Sequence, residues 1–387
     1  NFPSDTFVTS DGIYVLDTKN YRVQKWLKNG INATIVAGIT GTPGGTSSNT
    51  TFSTSYGLFI DQFGSIYVSD QGNCRILRFP PNSVSGTIGD WIAGTGVSGY
   101  GWQGFASPTG IFVDSNQAVY VADTSNHRIQ KYNFGACYGM TVAGTGYAGN
   151  SLNQLQNPTS VVVDSDGCLY ISDQNNHRIL RWAPEACAGE CIAGCSMTPG
   201  TRPDQLNHPS DIAFDSQGSL YVSDTWNNRV QKFAILNGTG ATTAVTGMGT
   251  TTANAIRSTI YQAPETVLWP TAQWAFNATT VAGSSTSASG STSSLLYFNS
   301  GIRISDSDTL YIVDKYNNRV VVVSPNSTTA VATIGSGYGI GPTQMNFPSD
   351  TFVTSDGIYV LDTKNYRVQK WLKNGINATI VAGITGT

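Results

Sequence analysis

The sequence predicts an all-β protein, a β-propeller of four-stranded antiparallel blades. Three observations carry that expectation. A signature Asp-x-x-Asn-x-Arg recurs seven times along 387 residues. Each recurrence lies among short runs of β-branched and aromatic residues, separated by the Gly, Asn and Asp that turns tolerate. The 3.6-residue apolar period of an amphipathic helix is absent throughout.

The signatures read "IYVLDTKNYRVQKW" from Ile13, "IYVSDQGNCRILRF" from Ile66, "VYVADTSNHRIQKY" from Val119, "LYISDQNNHRILRW" from Leu169, "LYVSDTWNNRVQKF" from Leu220, "LYIVDKYNNRVVVV" from Leu310, and the first again from Ile358. They place Asp17, Asn20 and Arg22 in the first unit, then Asp70, Asn73 and Arg75, then Asp123, Asn126 and Arg128. The later triplets are Asp173, Asn176, Arg178; Asp224, Asn227, Arg229; Asp314, Asn317, Arg319; and Asp362, Asn365, Arg367. Successive Asp residues are 53, 53, 50, 51, 90 and 48 residues apart, which defines a supersecondary unit repeated along the chain.

Each unit reads as four strands. A run such as "GIFVD" and a turn such as "SDG" come first; the signature then gives strand two ("LYVSD"), a tight loop and strand three ("RVQKF"), and "TVAG" or "WIAG" supplies strand four. Such sheets bury both faces against their neighbours when arranged around a ring. Residues 1–345 hold six signatures and read as a six-bladed propeller, with an insertion at about 236–298 that explains the 90-residue spacing. Two strand-four candidates flank that insertion, "AVTG" at 244–247 and "TVAG" at 280–283; a degenerate extra blade is the alternative. Trp269 and Trp274 inside it are expected to be packed. The Ser284–Ser294 stretch "SSTSASGSTSS" reads as a flexible loop suited to O-linked glycans. Residues 346–387 repeat residues 1–42 at every position.

The Asp-x-x-Asn-x-Arg units, with "GI-x-V-D" before and "VAG" after, resemble NHL-repeat propellers, and the resemblance covers nearly the whole chain. That family commonly has six blades. It includes zinc lyases that use several His ligands with Arg and Tyr nearby, and RNA-binding members with a basic face. This chain fits neither precedent well. It has three His: His127 and His177 share a loop slot that other blades fill with Tyr, Cys or Asn, and His208 lies in "LNHPSD". A zinc site needs about three converging donors. Seven of the twelve Arg sit in the signature and the other basic residues are scattered, so no nucleic-acid stripe forms.

The signature residues themselves read as structural, because a catalytic group is needed once and these recur in every blade. Asp17 and its equivalents suit an Asx-turn. Asn20 and its equivalents suit a loop position with an unusual dihedral. Arg22 and its equivalents can bond carbonyls or a carboxylate. No catalytic residue, cofactor or metal is therefore expected, and the chain reads as a non-enzyme.

Composition points outside the cell. Only 12% of residues are charged and the net charge is −3, which gives no pull toward nucleic acid. No run of 18 apolar residues exists to span a membrane. Sequons at Asn32, Asn49, Asn237, Asn277, Asn326 and Asn377 invite N-linked glycans in a secreted protein. Cys187, Cys191 and Cys195 lack the two-residue spacing of a zinc knuckle, so disulfides are expected. Blade alignment favours Cys137–Cys168 or Cys187–Cys191.

The exact copy bears on function. "YVADTSNHRIQKY" and "YISDQNNHRILRW" share 6 of 13 positions yet predict one hairpin, so the fold tolerates drift that the copy does not show. The reading is an extracellular structural glycoprotein whose partners are copies of itself, with residues 346–387 as the start of the next propeller in a tandem array. Blade exchange between subunits and a designed duplication are the rival accounts of the copy. A monomeric ligand- or partner-binding propeller is the alternative function, and a lyase or lactonase comes third.

Overall fold

The computed structural model describes residues 3–9, 11–27, 33–237, 272–373, 375 and 377–383. Sequon Asn32, the "AVTG" segment and Trp269 lie outside the described residues.

Seven four-stranded antiparallel sheets follow one another along the chain: blade 1 (3–38), blade 2 (57–94), blade 3 (108–143), blade 4 (158–193), blade 5 (209–283), blade 6 (299–334) and blade 7 (348–382). The innermost strands, from Pro3–Val8 in blade 1 to Pro348–Thr354 in blade 7, each contact the next, and Pro348–Thr354 contacts Pro3–Val8. The sheets thus close a seven-bladed propeller in which the copied segment is a blade of the same ring. Among the described residues no helix is long and apolar enough to cross a membrane.

Blade 1 shows how sequence sets the local structure. Strand Ile13–Asp17 pairs with Arg22–Trp26 in a register that places Asp17 opposite Arg22 and Ile13 opposite Trp26. A 3-10 turn, Thr18–Asn20, joins them, and Tyr21 reverses the chain at φ 55°. Strand four ends at Gly38 with φ +80°. A Cβ there would lie 2.2 Å from the Tyr21 carbonyl and 2.9 Å from Phe52, so the "AG" ending is a steric requirement.

The core lies between blades, as expected for sheets buried on both faces. Phe7, Tyr14, Leu16 and Val23 of blade 1 pack on Leu58, Ile66, Val68 and Leu77 of blade 2. A side chain from the connection plugs each interface between consecutive blades: Phe52, Phe105, Leu155, Leu206, Leu296 and Met345, all 0–1% exposed. Burying one such side chain is worth about 1.5–3 kcal/mol.

The long interval belongs to blade 5. Its fourth strand is Thr279–Gly283, the "TVAG" candidate, paired with Arg229–Phe233. A two-stranded ribbon, Ile235–Asn237 with Gln273–Trp274, sits beside it. Trp274 is buried against Tyr170 and Phe214, and its indole N–H donates to the Gly218 carbonyl.

Candidate functional site

The signature network comes first, since it fixes every blade edge. In blades 2 to 7 one carboxylate oxygen of the signature Asp accepts the N–H of a connection residue 16 or 17 positions earlier, at 2.6–2.8 Å. The other oxygen accepts from the signature Asn amide and the Arg Nε. The Asn amide also donates to a connection carbonyl, from Gly44 in blade 2 to Gly339 in blade 7. The guanidinium reaches further carbonyls, such as Thr51 from Arg75 and Gln344 from Arg367. Burial raises the pKa of Asp70, Asp123, Asp173, Asp224, Asp314 and Asp362, offset by these donors. The triplet is a clamp that holds the connection over its blade.

Two local expectations change. The unusual dihedral belongs to the residue after the Asn: Tyr21, Cys74, His127, His177, Asn228, Asn318 and Tyr366 all have φ between 48° and 56°. The Asn closes the 3-10 turn and uses its amide for the clamp. The Asp carboxylate likewise makes no capping bond to the turn beside it and reaches instead across to the connection.

The central channel is the second candidate. A cavity of about 490 Å³ runs along the axis, lined by the innermost strand of all seven blades. One level is aromatic: Phe7 and Phe59 rings are 5.1 Å apart, Phe59 and Phe112 5.6 Å, and Phe7 and Phe352 5.9 Å. The neighbouring level is charged. Arg303 of blade 6 contacts Asp211 of blade 5 at 3.1 Å and Asp350 of blade 7 at 3.3 Å. Asp5 of blade 1 accepts the N–H groups of Thr6 and Leu58, both at 2.8 Å. Burial first, and the nearby Asp350 second, push the Asp5 carboxyl up to about 8, so it carries a proton at neutral pH. Burial also raises Asp211, while Asp350 and Asp211 raise Arg303 against its own desolvation. The channel therefore offers a cation, a protonated carboxyl and an apolar aromatic wall.

The sequence profile of the NHL repeat matches residues 105–132, 155–182 and 206–233, the signature hairpins of blades 3, 4 and 5 with the segments that lead into them. The same clamp recurs in blades 2, 6 and 7. The chain is an NHL-repeat β-propeller. A comparison with curated protein sequences found no match. Solved structures share the fold. A protein of unknown function from Desulfotomaculum acetoxidans superposes with a TM-score of 0.57 at 13% identity, over 100% of this chain and 96% of that one. A catalytically inactive virginiamycin B lyase from Staphylococcus aureus with quinupristin gives 0.54 at 12%, over 94% and 92%. A 6-phosphogluconolactonase candidate from Bacteroides uniformis gives 0.52 at 12%, over 97% and 94%. At these identities the likeness is one of fold.

In this NHL propeller the three His are engaged in packing. His127 and His177 accept, through Nδ1, the N–H of Asn157 and His208. The His208 ring stacks on Trp226 at 3.9 Å and meets His177 edge-on at 4.6 Å. Burial lowers the pKa of both His177 and His208. Among the described residues no three His, Cys, Asp or Glu gather in metal-binding geometry.

The cysteines differ from expectation. The disulfide joins Cys191 to Cys195, with Cα atoms 5.7 Å apart, because Gly194 at φ +67° folds the end of strand four back. Cys187 is free and exposed, so Cys187–Cys191 does not form. Cys137–Cys168 does not form either. Cys137 borders a cleft between blades 2 and 3, whereas Cys168 is buried in the core shared by blades 4 and 5, beside Arg181. Of the sequons, Asn277, Asn326 and Asn377 are exposed, and Asn49 accepts from Arg75.

Sequence reasoning missed the channel charges. The signal was present: "PSD" stands at 3–5, 209–211 and 348–350 where blades 2, 3, 4 and 6 read "SYG", "PTG", "PTS" and "NSG", and Arg303 is the sole basic residue on an innermost strand.

Proposed function

We propose that this NHL propeller is a secreted structural glycoprotein, not an enzyme, and that it joins copies of itself head to tail into a fibre. One observation carries the reading: a blade is present twice without a single difference, in a fold whose other blades have drifted widely. Packing alone does not demand such identity, since neighbouring blades form the same sheet with different residues. A repeating assembly does, because each unit then meets the same segment at each junction. The exposed Asn277, Asn326 and Asn377 and the charge-poor surface support the glycoprotein part.

A second reading has its own observation. The 490 Å³ channel with Arg303, protonated Asp5 and a Phe wall suits a small ligand with an anionic or hydrogen-bonding end and an apolar body. It ranks lower because Arg303 is already paired with Asp211 and Asp350.

Mass-spectrometric mapping of native material before and after enzymatic N-deglycosylation tests the first reading. The expected result is glycan at the exposed sequons, with "GPTQM" preceding every "NFPSD" and "PGGTSS" following every "GITGT". Bare sequons would overturn the glycoprotein assignment, and a free amino terminus at Asn1 would overturn the tandem array.

A further inference from the structure

Two blades carry arginine at the fourth position of strand three, Arg78 in blade 2 and Arg181 in blade 4. Blades 1, 3, 5 and 7 have Lys there, laid over a Tyr of the same blade at 4.9–5.5 Å, and blade 6 has Val322. In blade 4 that arginine faces a groove which the chain fills with its own ribbon. We propose that the corresponding cleft between blades 2 and 3 is a docking groove for an extended, tryptophan-bearing peptide segment of another protein, held as Ala272–Trp274 is held between blades 4 and 5.

The filled groove shows what such a site takes. Strand Gln273–Trp274 lies against Glu190–Ala193, the fourth strand of blade 4. The Trp274 ring stands 5.9 Å from the Arg181 guanidinium and meets the Tyr170 ring edge-on at 6.0 Å. Its indole N–H donates to the Gly218 carbonyl at 2.9 Å, and Arg181 Nη1 donates to the Ala272 carbonyl at 3.3 Å. Leu220 and Phe233 of blade 5 belong to the same apolar cluster. Under this cover the Arg181 side chain is 3% exposed.

The cleft between blades 2 and 3 has the same walls. Strand register puts Tyr67, Arg78 and Asp90 where blade 4 has Tyr170, Arg181 and Glu190. It puts Val119 and Tyr132 where blade 5 has Leu220 and Phe233. These five side chains line a cavity of about 690 Å³, a size typical of ligand pockets. Gln117 takes the place of Gly218 at the turn: φ is 61° and 86°, and each N–H donates to the carbonyl of the Asp three residues earlier. Its side chain is fastened to Asp61 at 3.0 Å, and its carbonyl corresponds to the one that receives the Trp274 indole. Among the described residues no ribbon lies over this cleft. Arg78 is paired with Asp90 at 2.7 Å and lies 5.0 Å from the exposed Phe134 ring, yet it remains 22% exposed.

The filled groove also specifies the occupant. A backbone carbonyl answers the guanidinium, a small residue precedes the Trp by two positions, and the indole supplies both a π face and an N–H. An indole over a guanidinium that it desolvates is the stronger form of the cation–π contact. The ribbon of a second copy is already engaged, since withdrawing it would bare Tyr170 and Phe214. The segment therefore comes from a different protein.

A fluorescein-labelled peptide of the 272–277 sequence, AQWAFN, is the probe, titrated into the intact chain and read by anisotropy. Saturable binding is expected, abolished in AQAAFN and weakened about tenfold by Arg78→Leu. Cys137 borders the cleft and Cys187 does not, and both thiols are free and exposed. In the unsubstituted protein, unlabelled AQWAFN should therefore slow iodoacetamide alkylation of Cys137 and leave Cys187 unchanged. This measurement decides even if Arg78→Leu fails to fold. Absence of saturable binding, equal binding of AQAAFN, or unaltered Cys137 reactivity would overturn the proposal. So would a peptide-free chain whose mass grows with concentration while Cys137 becomes shielded, because the cleft would then belong to a second copy.

Discussion

Blades 1 and 7 are the same 42 residues in two settings, and they separate what a sequence decides locally from what its neighbours decide. The local geometry is the same. Tyr21 and Tyr366 reverse the chain at φ 55° and 54°, and the Arg Nε meets the Asp carboxylate at 2.9 Å in one copy and 2.8 Å in the other. The surroundings differ. Arg367 is 1% exposed and donates to Ile340, Gly341 and Gln344 carbonyls, whereas Arg22 is 19% exposed and donates to Thr40. Strand, turn and register travel with the sequence; burial is conferred by the connection laid over the blade.

The largest expected difference between the copies lies in that pair of arginines. Arg367→Ala leaves Asp362 without its cation in a buried site, which costs about 3–5 kcal/mol. Arg22→Ala acts on an arginine that is 19% exposed rather than 1%, and should cost less than Arg367→Ala. Urea unfolding of the two variants at neutral pH measures both. Equal losses would break the comparison and mean that the overlying connection contributes little to the clamp.

A smaller difference appears in the channel, where Asp5 and Asp350 are also copies of one residue. Asp350 is paired with Arg303, while Asp5 accepts two backbone N–H groups and is pushed from 3.8 to about 8. Between about pH 4 and 8 the folded protein then holds a proton that the unfolded chain has released. The stability this gives is fully present below about pH 4 and is lost as pH rises toward 8. Asp5→Asn should flatten that part of the profile, read as Tm against pH. A variant that keeps the wild-type slope would remove Asp5 from the account.

Most of the fold was legible because the repeat is strong. The Asp-x-x-Asn-x-Arg hairpin and the "VAG" ending specify strands two, three and four, and the αL residue and the steric demand at Gly38 enforce the turns. The number of blades in one ring was less legible. Six signatures in residues 1–345 suggest six, while the structure closes seven, since a blade's faces are generic enough for blade 7 to pack on blade 1 through Phe352 and Val8. The channel charges were hidden because Asp5, Asp211, Asp350 and Arg303 meet only when four different blades converge. The disulfide was hidden because spacing alone does not show that Gly194 folds Cys195 back onto Cys191. The plugs, from Phe52 to Met345, sit 17 or 18 residues before the signature Asp of blades 2 to 7, a regularity the sequence shows and a strand-by-strand reading passes over.

The central claim, that identical blades mark a self-assembling unit, is tested most directly by negative-stain electron microscopy of the native material. Beaded filaments with a regular repeat are predicted. A field of isolated rings, unchanged as the concentration is raised, would contradict it.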